Sequence, residues 1–270
     1  MKGKPAMNKL EHEMCDVLKS GRDNFGWVAV KAEFEAEGTR LDELLRLIEI
    51  ARKADLKVAL KIGGCEALMD LYTAKQVGAD YVIAPMIESS YALSKFVAAV
   101  FKAYSEFEIR DTAFLWNIET GLAFKNLDSM VELAAQSRIL KGIVFGRNDY
   151  CGSIGKDASF VNHESITADG IKMAQKCGES DLELVVGGGV SMDSIPALNE
   201  LSRCRLTRFE TRKVIFSSQA LQIQNLEEGM ILALKFELMW LTNKRDYYSA
   251  IFNEDEKRFE ALKSRWGINL

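Results

Sequence analysis

Two short segments hold the acids whose spacing invites chemistry: Asn117-Ile118-Glu119-Thr120 and Phe145-Gly146-Arg147-Asn148-Asp149. Glu119 and Asp149 stand 30 residues apart, the length of one strand-plus-helix unit. That would place them on the ends of adjacent parallel strands, about 4.8 Å apart, where two carboxylates could share one hard divalent cation. Such an ion needs only one or two protein carboxylates when waters and substrate oxygens complete its shell. The structural alternative is that Glu119 caps the following helix and Asp149 makes a loop turn. Further candidates recur along the chain. Lys61 can bind an anion, form a Schiff base if burial makes it give up its proton, or pair with an acid. Glu33, Glu35 and Glu88 can act as acid or base, or belong to a structural charge network. Gly146 and Asn148, beside Asp149, are assigned with Lys61 and Arg212 to substrate binding; Arg212 can instead pair with Glu210 or Asp193. Gly187-Gly188-Gly189 can cradle a phosphate through backbone amides, or simply let the chain turn. His163 opens a helical stretch and fits a capping role better than a catalytic one.

These residues need elements to hold them in register. Short apolar, β-branched runs recur at Trp27 to Val30, Val58 to Ile62, Tyr81 to Ala84, Phe114 to Ile118, Ile143 to Phe145, Leu182 to Val186 and Leu206 to Phe209. Most are separated by helical spacing such as Leu41-Leu44-Leu45-Ile48. Continuous rather than alternating apolar strands are buried on both faces, and a repeated βα order gives a parallel sheet. Polar residues follow nearly every run, as in Lys61, Glu88, Asn117, Asn148 and Glu210. A ring of this kind fits the mouth of a TIM (β/α)8-type barrel better than the single switch point of an open sheet. Seven strands are clear; the eighth is expected in the amino-terminal segment or not at all. The barrel domain spans 1–217, and 218–270 is read as a helical extension, first Leu226 to Leu241 and then Glu254 to Trp266. Its Met230, Phe236, Met239 and Trp240 predict packing against a neighbouring subunit, hence a homo-oligomer, or against the chain's own barrel.

Composition narrows the function classes. Of 270 residues, 48% are apolar and 27% charged, the balance of an ordinary globular chain. A net charge of -4 provides no basic field for nucleic acid. The five cysteines are scattered, with no C-x-x-C pair, so neither a disulfide framework nor a zinc knuckle is expected. No segment reads as a secretory signal or membrane span, and a cytoplasmic location is expected.

Tyr81-Val-Ile-Ala-Pro85-Met-Ile-Glu88-Ser, Asn117-Ile-Glu119-Thr and Gly142-Ile-Val-Phe-Gly146-Arg-Asn-Asp149 are similar, in order, to the strand-end motifs of the HpcH/HpaI aldolase and citrate lyase β-subunit family. The resemblance runs from about Trp27 to Phe216. It implies a TIM barrel in which Glu119 and Asp149 hold Mg²⁺ or Mn²⁺, and carbon-carbon bond making or breaking beside a 2-oxo acid or acyl-thioester enolate. Two positions depart from the family. An arginine is usual where Lys61 stands, so charge is kept but the bidentate fork is lost. The aldolase branch places histidine after the early acid, whereas Glu33 is followed by Phe34. The expected activity is a metal-dependent aldolase or lyase acting on a small oxo acid or acyl substrate. A Schiff-base aldolase using Lys61 and a non-catalytic anion-binding barrel are the alternatives.

Overall fold

The computed structural model describes residues 7–267. The Asn8 side chain accepts from the Glu11 amide at 2.8 Å while the Glu11 carboxylate accepts from the Asn8 amide at 3.0 Å. This reciprocal cap fixes the start of α1 (Lys9–Phe25). The chain then alternates: β1 (Trp27–Glu33), α2 (Leu41–Lys53), β2 (Lys57–Lys61), α3 (Leu68–Val77), β3 (Tyr81–Ala84), α4 (Ser90–Ala103) and β4 (Ala113–Ile118). Two helices, α5 (Gly121–Lys125) and α6 (Leu127–Ser137), precede β5 (Leu140–Gly146). After it come α7 (Arg147–Ser153), α8 (Glu164–Glu179), β6 (Glu183–Gly187), α9 (Ile195–Cys204), β7 (Arg208–Glu210), β8 (Val214–Ser217) and α10 (Leu226–Trp266).

The eight strands close a barrel in sequence order, so the architecture is a TIM-type barrel with a carboxy-terminal helix. Strands β1 to β7 are parallel, but β8 is antiparallel to both β7 and β1. The eighth strand therefore comes from Val214–Ser217 and not from the amino terminus, which forms α1. The Thr211 amide closes the β7–β8 turn on the Val214 carbonyl at 2.9 Å, and the Lys31 amide donates to the Lys213 carbonyl at 2.9 Å. No helix intervenes, so a search for βα units passes over it.

Strand alternation sorts the side chains. Ala29, Ala59, Ile83, Leu115, Val144, Val185 and Ile215 point inward as an apolar plug. Val30, Ala32, Leu60, Val82, Phe114, Trp116, Phe145 and Phe209 point outward into the larger core under the helices. One step further along the inward rows, towards the carboxyl ends, the residues become Lys31, Lys61, Asn117, Gly146 and Gly187. The plug thus forms the floor of a charged mouth.

The tail is one helix of 41 residues where the pattern predicted two, because no glycine or proline interrupts it after Gly229. Met230, Phe236 and Trp240 are buried in the chain's own fold, where α10 packs along α1, and Met239 is half-buried against the same core. Of the two packings expected for this group, against a neighbouring subunit or against its own barrel, its burial within the chain is the second. Among the described residues, no helix is long and apolar enough to cross a membrane.

Candidate active site

A cavity of about 500 Å³ opens at the carboxyl ends of the strands. Lys31, Glu33, Glu35, Lys61, Asn117, Glu119, Gly146, Asn148, Asp149, Glu210 and Arg212 line it, with Gly187 to Val190 and, from α10, Leu234 and Glu237. A larger cavity of about 850 Å³ between α1, α2 and α10 contains none of these strand-end charges. Volume alone does not locate the chemistry.

Glu119, only 1% exposed, is the most constrained acid. Its Oε2 accepts from Asn117 Nδ2 at 2.5 Å and Lys61 Nζ at 3.3 Å, and its Oε1 accepts from the Met86 amide at 2.7 Å. Met86 takes φ +51°, a left-handed conformation that costs a residue bearing a side chain, and so is a strained donor that the sequence did not announce. Glu119 does not cap the following helix. Thr120 does, with its hydroxyl accepting from the Ala123 amide at 3.0 Å. Gly146 is required beside it: a Cβ there would meet the Glu119 Cβ and Oε2 at 2.8 Å.

Lys61 lies between Glu35 at 3.0 Å and Glu119 at 3.3 Å. Burial disfavours its ammonium, but Glu119, Glu35 and Glu33 outweigh that and hold its pKa above the ordinary lysine value. Lys31, deeper, sits between Glu33 at 3.0 Å and a close contact with Glu210; the same opposition of burial and carboxylates holds it charged. Burial likewise pushes Glu33 up, yet Lys31 and then Lys61 and Arg212 bring it below the usual carboxylate range.

The remaining candidates divide. Asn148 and Asp149 are exposed on the first turn of α7 and line the cavity. Arg212 lines it too, but its partner is Glu37 at 3.2 Å, not Glu210 or Asp193. Glu88 accepts from the Thr120 hydroxyl at 2.8 Å and lies outside the cavity wall. His163 caps α8, accepting from the Ser165 amide at 3.2 Å. Gly188, at φ +75°, passes so close to α7 that a Cβ would meet the Asn148 and Arg147 amide nitrogens at 2.6 and 2.7 Å; tight approach explains that glycine without a phosphate.

Besides Lys31 and Arg208, two further buried cations, Lys213 and Arg147, are not singled out by the sequence. Lys213 pairs with Glu37, and burial, although opposed by Glu37 and Glu33, lowers its pKa. Among the described residues Arg147 has no carboxylate partner; it donates to the Gly187 carbonyl at 3.3 Å, Asn162 Oδ1 at 3.0 Å and the Ser194 hydroxyl at 3.2 Å, and burial lowers its pKa to about 10. From α7 it ties the end of β6 to the segments that lead into α8 and α9.

A divalent ion suits this donor set. Around the mouth the acids outnumber the bases: the buried carboxylates of Glu33, Glu119 and Glu210 face two buried ammoniums, Lys31 and Lys61. Asn117 Oδ1 and Glu210 Oε2 are buried acceptors without a hydrogen-bond partner, and all the spare donors are hard oxygens. Among the described residues no three His, Cys, Asp or Glu side chains converge, so an ion here would rely on few protein ligands.

An eight-stranded barrel with its charges gathered at the strand ends defines an enzyme of the TIM-barrel class. The family model of HpcH/HpaI aldolase/citrate lyase matches residues 32–191, more than half of the chain, and the protein belongs to that family; it is an aldolase- or lyase-type enzyme. The fold is similar to an HpcH/HpaI aldolase from Desulfitobacterium hafniense DCB-2, with TM-score 0.57 and 12% identity over 80% of this chain and 87% of that one. A family protein from Burkholderia cenocepacia J2315 gives 0.56 and 12% over 82% and 97%. The citrate synthase SbnG gives 0.56 and 14% over 73% and 81%. No curated protein sequence matches the chain.

Proposed function

We propose that this enzyme cleaves or forms a carbon-carbon bond in a small 2-oxo acid or related carbonyl compound through an enolate, with Mg²⁺ or Mn²⁺ held by Glu119 and Asp149. The observation that carries the reading is Glu119 itself, a buried carboxylate fixed by three donors at the floor of a cavity that Asp149 also lines. When bound, the ion supplies Lewis acidity towards a carbonyl oxygen and the charge that develops on it.

The chain's own residues supply the rest. Lys61 stays charged and offers its ammonium to the substrate carboxylate; Glu35, its more exposed partner, is the group that yields. Glu33, ionised by Lys31, can accept a proton but does not hold one to donate at neutral pH. Gly146 and Gly187 to Gly189 put no side chain into the cavity and leave room for substrate. A Schiff base is disfavoured, because it needs a neutral amine and the carboxylates around Lys61 stabilise the ammonium.

Calorimetry with Mg²⁺ and Mn²⁺ tests the site without turnover. Binding is expected in the wild type and its loss in Glu119→Gln and Asp149→Asn; unchanged affinity in both variants would sink the metal assignment. Retro-aldol assays on a panel of hydroxy-2-oxo acids should show activity abolished by EDTA and restored by the metal. Full activity in EDTA with a borohydride-trapped Lys61 adduct would select the imine mechanism instead.

A further inference from the structure

The strand-end cavity spans two sides of the barrel. Glu119 and Asp149 follow β4 and β5, whereas Glu210 ends β7 and Lys31 and Glu33 belong to β1, which β8 joins to β7 across the ring. On that far side α10, lying along α1 where α1 packs on β1, adds its own Leu234 and Glu237 to the wall.

Two acids there lack a full set of partners. Glu210 is only 3% exposed; its Oε1 takes Lys31, while its Oε2 is buried without a hydrogen-bond partner. Glu237, half-buried on α10, has no ion pair among the described residues. The cations nearby are committed, Lys31 between Glu33 and Glu210, and Arg212 and Lys213 to Glu37. Around the whole cavity six carboxylates face three cations, Lys31, Lys61 and Arg212. A divalent ion at Glu119 and Asp149 would offset two of the three surplus charges, and a substrate carboxylate on Lys61 would restore one. The occupied mouth therefore stays acidic, and a cleft lined by one sign of charge concentrates the other. A second carboxylate on the substrate would be repelled there and would leave Glu210 Oε2 unsatisfied.

We infer that this far side of the mouth is a cation subsite, in which Glu210 and Glu237 receive an ammonium group that the substrate carries beyond its oxo-acid end. The inference rests on the proposed function, which seats the substrate carboxylate at Lys61. An ammonium has three donors; one satisfies Glu210 Oε2, and its charge offsets that of Glu237 at the rim. Leu234, one turn before Glu237 on α10, covers the methylene stem between the two ends. The substrate class is an amino-bearing oxo acid, cleaved to or built from an amino aldehyde, rather than a dicarboxylate.

Calorimetry in the presence of Mg²⁺ tests this with inert 2-hydroxy acids that differ only at the far end: 4-amino-2-hydroxybutanoate, 2-hydroxypentanoate and 2-hydroxyglutarate, each with a longer-chain homologue. At one of the two lengths the amino compound should bind about tenfold or more tighter than its methyl counterpart, and the carboxylate compound weakest. Glu237→Gln should narrow that gap and Glu237→Lys should invert it. Glu237 is half-buried on a helix face, so both variants should keep the wild-type circular dichroism and melting temperature. Equal binding of the three end groups, a preference for the carboxylate, or a preference unmoved by Glu237→Lys overturns the subsite and leaves the oxo-acid reading standing, because the common acid head still binds. Binding by none of the compounds strikes the oxo-acid reading and the subsite with it. Titration with Mg²⁺ alone separates an ion from an ammonium: a second metal equivalent that Glu237→Gln removes would give these acids to the metal and overturn the inference.

Discussion

Glu119 keeps one orientation because donors reach both of its oxygens, and Lys61 is the only charged one among them. If Lys61 serves the substrate as a point charge, Lys61→Arg should keep much of the activity. Lys61→Met should lose a charge-assisted contact of about 1.5 to 3 kcal/mol, roughly ten- to a hundredfold in kcat/KM; wild-type rates in Lys61→Met would assign the residue to the scaffold. The same charge layer sets an acid limit. Glu33 has its pKa lowered from 4.5, so it adds stability that is present above pH 4.5 and lost as pH falls through its lower native value. Thermal melts from about pH 7 to 3 should show a falling midpoint whose slope below 4.5 is reduced in Glu33→Gln; an unchanged slope would mean other carboxylates set it. The place of Glu119 just past the end of β4 was legible from its apolar run, whereas Asp149, expected at the neighbouring strand end, lies on the first turn of α7 and only shares the cavity. Lys31 with Glu210, and Arg212 with Glu37, were not legible, since those partners lie 179 and 175 residues apart and only barrel closure joins them.

Strands carry these residues to the mouth, and the clearest strands were those with a helix on each side. Tyr81–Ala84 agrees with its apolar run residue for residue. Leu140–Gly146 extends three residues before the run at Ile143, because Lys141 and Gly142 are a poor β signal that pairing overrides. β8 was missed altogether, being four residues long and reached by a hairpin. Neighbouring strands must also approach closely where their ends carry the site. Gly146↔Gly187 is the last pair of β5 and β6, and the Gly146 side faces Glu119. Gly146→Ala should therefore push Glu119 off its three donors rather than unfold the barrel. The expected result is a folded protein with kcat down by at least about tenfold, equivalent to about 1.4 kcal/mol, and weakened Mg²⁺ binding by calorimetry. Unaltered metal affinity and kcat would show that Glu119 has room to yield.

Across the whole molecule, the first half of α10 covers the barrel and the second half overhangs it, and a reading of the tail as an appendage after residue 217 conceals this. Met230, Phe236 and Trp240 each bury a large side chain against the α1 side of the barrel, worth about 1.5 to 3 kcal/mol apiece, whereas the residues after Tyr248 bury almost nothing in their own chain. The sequence pattern could not separate the halves because both are apolar at helical spacing, and only the position of α1 decides which face is covered. A chain ended after Ser218 should thus expose the α1 face that Trp240 and Phe236 cover, and aggregate. One ended after Asp246 keeps that packing together with the Asn8 to Asn243 hydrogen bond at 2.7 Å, and should be folded and soluble. Light scattering and thermal melting of the two truncations decide between these outcomes. A soluble, cooperatively melting chain ended at Ser218 would show that the barrel stands without its last helix.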